Sequence, residues 1–60
     1  MNTTKAINLA IDALREKMRK FAFDANLFKA GQKTFHTERS FKTYKECEDA
    51  IKILQAIKLT

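Results

Sequence analysis

One spacing constrains this 60-residue chain more than any other feature. Ile7, Ile11, Leu14, Met18, Phe21, Ala25 and Phe28 recur at intervals of four, three, four, three, four and three without a break. A strand alternates faces every second residue and cannot gather these positions on one side. An α-helix places all of them on a single stripe. The repeat fills both seam positions of successive heptads, the pattern of a helix that packs lengthwise against another helix.

The spacing predicts a helix over about residues 3–30. Thr3 or Thr4 offers a hydroxyl N-cap, and Gly31 stands where a left-handed residue commonly closes a helix. Asp12 with Arg15 and Glu16 with Lys20 lie at helical spacings that favour ion pairing. At about 1.5 Å per residue such a helix is roughly 40 Å long. Leu9, Ala10, Ala13, Ala22, Phe23 and Leu27 flank the seam, with Phe23 and Leu27 forming a second apolar stripe. One partner helix cannot cover both stripes, and a second copy of the chain is the simplest cover. Phe21, Phe23, Leu27 and Phe28 are the expected interface residues.

Residues of about 31–36 read as a loop. Beyond it, Phe41, Tyr44, Cys47, Ile51 and Leu54 keep helical spacing, with Ala50, Ile53 and Ile57 widening the apolar face. Two starts compete. Thr43 and Glu46 form a Thr-x-x-Glu capping box, whereas a start at Thr37 places Glu38 in the first turn, where the helix dipole favours an acid. The earlier start accommodates Phe41, so the second helix is expected over about 37–58. A short loop between two helices implies an antiparallel pair. The expected fold is an all-α, two-helix hairpin forming one domain over residues 1–60 and assembling as a helical-bundle homo-oligomer.

Composition narrows the alternatives. One Gly and no Pro leave too little turn chemistry for an all-β chain. Apolar residues at 45% with charged residues at 32% are a globular balance. A domain this small buries only about 60% of its unfolded surface, and without disulfides it commonly gains stability by association. Cys47 is the lone cysteine, so no intramolecular disulfide exists. No apolar run approaches the roughly 20 residues of a membrane span, and no apolar segment of signal-peptide type follows the N-terminal residues. The expected location is the cytoplasm, without membrane association.

Little here supports catalysis. Cys47 falls on the apolar face, where a thiol behaves as a small hydrophobe and not as a reactive nucleophile. One Gly cannot build a phosphate-binding glycine loop. Glu46, Glu48 and Asp49 on a straight helix cannot close the oxygen shell of a hard cation, and they read as a solvated face pairing with Lys45 and Lys52. No enzyme, cofactor or metal site is expected.

Positive charge is more informative. Twelve Lys and Arg against seven Asp and Glu give a net charge of +5. Arg15, Lys17, Arg19 and Lys20 form one cluster, and Lys29, Lys33, Arg39, Lys42 and Lys45 another around the expected hairpin tip. Between residues 33 and 42 the cations are interleaved with Thr34, Phe35, His36, Thr37, Ser40 and Phe41. Cations and hydroxyls beside the free N–H groups of a helix start are the ingredients of an anion site. The candidate ligand residues are therefore Lys33, Thr34, His36, Thr37, Arg39 and Lys42, with Phe35 or Phe41 able to stack a base.

The run from Thr37 to Ile51, Thr-Glu-Arg-Ser-Phe-Lys-Thr-Tyr-Lys-Glu-Cys-Glu-Asp-Ala-Ile, resembles the second helix of the hairpin domain in viral sponge proteins. The chain also resembles short basic helical-hairpin proteins of phages and prophages, and the likeness to the sponge hairpin covers about a third of it. The resemblance implies a helical oligomer that sequesters cyclic nucleotide immune signals. It rests on helical pattern and assigns no individual phosphate-binding position.

Three readings follow. The first is a non-enzymatic oligomer that captures an anionic small molecule such as a cyclic nucleotide. The second is a basic nucleic-acid-binding protein, consistent with a pI near 9.7. The third is an inhibitor or assembly adaptor whose Phe23/Leu27 stripe docks a host protein.

Overall fold

The computed structural model describes residues 2–59 and contains two α-helices, α1 (Thr3–Lys29) and α2 (Phe35–Leu59), packed against each other as a hairpin. The hairpin measures 42 × 17 × 13 Å, close to the length expected of its first helix. Thr60, outside the described residues, lies beyond the expected end of α2.

The heptad seam forms the inter-helix contact. Ile7, Ile11 and Ile51 make the central cluster, with Leu14, Met18 and Leu54 packed around it. Ala25 and Cys47 are buried nearer the tip than Ile7 and Ile51. Cys47 is buried as its place on the apolar face implied. At the tip, Phe28 stacks on Phe41 with ring centroids 4.9 Å apart, and the Lys33 ammonium lies 4.0 Å from the Phe28 centroid. At the open end Lys58 donates to Asn8 Oδ1 at 2.8 Å. These cross-links lie at opposite ends of the antiparallel pair that the short turn imposes.

The helix ends differ from expectation in instructive ways. Asn2, and not Thr3 or Thr4, caps α1: its Oδ1 accepts the Lys5 N–H at 2.7 Å. Asn ranks among the strongest cap residues, and from this position it leaves both threonines free to extend the helix. Gly31 closes α1 with φ +102°, as its position implied. The Gln32 N–H donates to Leu27 O and the Gly31 N–H to Phe28 O, the paired bonds of a Schellman turn.

Helix α2 starts at Phe35, two residues before the expected Thr37, because Thr34 is its cap. The Thr34 hydroxyl accepts the Thr37 N–H at 3.1 Å, and the Thr37 hydroxyl accepts the Thr34 N–H at 2.9 Å. This is a capping box with Thr in the place usually held by Glu or Gln. The Thr37 hydroxyl also donates to Gln32 O at 2.6 Å, which ties the new helix to the end of the old one. The turn thus shortens to residues 30–34, and Thr37 is buried. On the far side, Ile53 is 62% exposed and does not widen the packed face.

Two outcomes check this account. Ile11→Ala should cost about 2–5 kcal/mol, comparable with the whole stability of so small a domain, and should abolish cooperative unfolding by circular dichroism. Thr37→Val keeps the shape but removes the reciprocal cap and the Gln32 bond. It should lower stability by about 1–2 kcal/mol in urea denaturation, with the helical content at low urea retained.

Candidate functional site

The residues expected to bind an anion divide into two groups. Thr34 and Thr37 are engaged in each other's backbone and in the turn, so their hydroxyls hold the hairpin and do not point to a ligand. Lys33 rests over the Phe28 ring. His36, expected in a loop, lies in the first turn of α2, and its Nε2–H donates to Asp24 Oδ2 at 2.8 Å. That bond ties the start of α2 to α1. Four of the six candidates therefore build the tip.

Arg39 and Lys42 remain, and the structure brings them together. Both line a shallow depression of about 360 Å³ on the outer face of α2, with Phe35, Glu38, Thr43 and Glu46 as the other walls. The helix repeat explains the grouping, since residues three, four, seven and eight apart share one flank. Phe35 stands at one end and is 82% exposed, an unusual state for a large aromatic ring. Lys42 reaches back to Glu38 at 3.3 Å, whereas no ion pair engages the Arg39 guanidinium among the described residues. Phe35, expected as a stacking ring, lies here, whereas Glu38, Thr43 and Glu46 join the site without having been expected there, through the continuous flank they form with Arg39. The signal was in the sequence, as the spacing of 35, 39, 42 and 46.

The depression is thus amphoteric. It offers a planar guanidinium, an ammonium, a hydroxyl, two carboxylates and one exposed aromatic face. Such a set suits a flat, hydrogen-bonding guest that also carries negative charge.

The other basic residues are distributed along the hairpin. Lys45 donates to Glu48 Oε1 at 2.7 Å, and Glu16 pairs with Arg19 at 2.7 Å instead of with Lys20. No group of three His, Cys, Asp or Glu among the described residues is placed to hold a metal ion. No described helix is long and apolar enough to cross a membrane.

The expected interface residues also divide. Phe28 is occupied within the hairpin by Phe41, and Phe21 is half-buried along the seam. Phe23, 73% exposed, and the half-buried Leu27 lie toward the outer side of α1. Comparison with family models, curated proteins and solved structures finds no match for this chain.

The Lys45–Glu48 pair has a pH consequence. The hydrogen bond and charge of Lys45 lower the Glu48 carboxyl pKa, and Glu48 raises that of Lys45. A lowered acid stabilises the fold above its unfolded pKa, and that contribution is lost as pH falls through the folded value. A raised base contributes below its unfolded pKa and loses that contribution as pH rises through the folded value. The pair therefore acts across the neutral range and fades at both extremes. In a carboxyl-detected NMR titration, Glu48 should titrate below the ordinary glutamate value, and Lys45→Met should move it back up.

Proposed function

We propose that this chain is a non-enzymatic binding protein that works as a homo-oligomer and captures a nucleotide-like anion. The observation that carries the reading is the shared depression of Phe35, Arg39, Lys42, Thr43, Glu38 and Glu46. Arg39 and Lys42 supply the phosphate-binding fork and point charge. Phe35 supplies a stacking face for a base. Glu38 and Glu46 would repel free phosphate, yet they accept hydrogen bonds from the ring and exocyclic N–H groups of a base. That combination favours a nucleotide over an inorganic anion. The resemblance of the Thr37–Ile51 run to the sponge hairpin supports the same class of ligand, a cyclic nucleotide signal. The cytoplasm, of a host cell in the case of a phage gene, is where such a signal is met.

Isothermal titration with cyclic dinucleotides tests the reading. Arg39→Ala should weaken binding by about 1.5–3 kcal/mol, the value of a hydrogen bond to a charged group. Arg39→Lys should recover only part of the loss, since the fork is gone. Phe35→Ala should cost about 1–3 kcal/mol with no change in fold, because the ring is already in solvent. Wild-type protein that ignores nucleotides but binds duplex DNA, with affinity falling steeply in salt, would replace this reading by the nucleic-acid one. Binding of neither would leave the protein-adaptor reading.

A further inference from the structure

The outer face of α1 carries a second repeat, turned away from the hairpin core. Ala6, Leu9, Ala13, Glu16, Lys20, Phe23, Leu27 and Ala30 follow one another at spacings of three, four, three, four, three, four and three. All but Leu27 are exposed, Leu9 by half of its surface and Phe23 by nearly three quarters. Six of the eight are apolar, and the two charged positions are adjacent and opposite in sign. A solvated helix back has no need of this arrangement.

The order of residues along the stripe is self-complementary when one copy is reversed. Laid antiparallel on a second stripe, Leu9 faces Leu27 of the second copy and Ala13 faces its Phe23. Glu16 faces its Lys20, and Ala6 faces its Ala30. Every apolar position then meets an apolar one, each phenylalanine meets an alanine small enough to receive it, and each acid meets a base. A parallel pair in register sets Glu16 against Glu16 and Lys20 against Lys20, which repel. Charged positions flanked by apolar ones commonly set partner orientation in helical pairs.

From this complementarity we infer that the outer face of α1 is an antiparallel, two-fold contact between two copies of this chain, centred between Glu16 and Lys20. The occupant of the stripe is a second copy, and the two Glu16–Lys20 contacts fix its register. The Glu16 carboxylate keeps its own Arg19 at 2.7 Å, since a carboxylate has lone pairs for both. The inference rests on the oligomer half of the proposed function and names the surface. The nucleotide depression lies on α2 and is not required for it.

Sedimentation equilibrium of the unliganded full chain tests it. Wild type should be a dimer, and Glu16→Lys or Lys20→Glu should each raise the dimer dissociation constant at least about tenfold by placing like charges in contact. The double reversal, Glu16→Lys with Lys20→Glu, should restore the dimer, because the acid and base exchange places across the two-fold axis. Phe23→Glu should give a folded monomer, as the ring is exposed within one hairpin. Circular dichroism confirms that each variant keeps its helices. A monomeric wild type at about 100 µM, a dimer indifferent to the single reversals, or a double reversal that stays dissociated overturns the inference. Nucleotide titration is read separately: a dimer that binds no nucleotide refutes the ligand proposal alone, a monomer that binds one refutes this inference together with the oligomer half of the proposed function, and a dimer indifferent to the reversals refutes this inference alone.

Discussion

The seam between the two helices is one residue stripe wide, and everything else about the molecule depends on that limit. Ile7, Ile11 and Ile51, with Leu14, Met18 and Leu54 around them, are the centre of the packed interior. A helix pair has no third element to close over its outer faces. Large apolar residues on the outer faces therefore stay in water, as Phe23, Phe35, Ile53 and Leu9 do. At about 25 cal/mol per Å², leaving these side chains wet forgoes stabilisation in a chain whose size already makes it marginal.

Because the core is thin, the turn carries a larger share of the specification. The Schellman bonds at Gly31 and the Thr34–Thr37 box are satisfied within residues 27–37, and the Thr37 hydroxyl joins them through Gln32 O. The Phe28–Phe41 stack and the His36–Asp24 bond then brace the same end. These contacts account for why the polar residues of the tip do not form an open anion site. Their donors and acceptors are matched to the backbone and to each other.

The sequence discloses the seam because a heptad repeat is a statement about one face of a helix, and it holds whatever the rest of the chain does. Gly31 was equally legible, since a positive φ selects glycine. The start of α2 was less so. Thr34, Thr37 and Thr43 all present hydroxyls before a helical run, and only the turn geometry selects Thr34. The same ambiguity made Thr34, Thr37 and His36 look like ligand residues, when hydrogen bonds across the turn engage them. Arg39 and Lys42 fall together for a reason sequence can express, their place on one flank of α2. Glu16 chooses Arg19 over Lys20 by rotamer, a choice that spacing alone leaves open, as both lie within reach on the helix.

The proposed contact on α1 would respond to charge at its own centre. An antiparallel pair centred between Glu16 and Lys20 brings Arg15, Lys17, Arg19 and Lys20 of both copies to within about a turn of the two-fold axis. The Glu16–Lys20 contacts attract there, while the remaining cations repel, and each protomer already carries +5. Salt weakens the attraction and the repulsion alike, so assembly held mainly by Leu9, Phe23 and Leu27 should depend on it only weakly. A bound polyanion acts differently. It neutralises the crowded cations without touching the apolar contact, and so favours the paired state; by linkage, pairing must then favour the anion by the same factor. A small nucleotide seated on α2 lies on the opposite helix from that axis and gains little from it. The degree to which ligand and assembly reinforce each other therefore distinguishes a guest held at Arg39 from one held across the dimer centre.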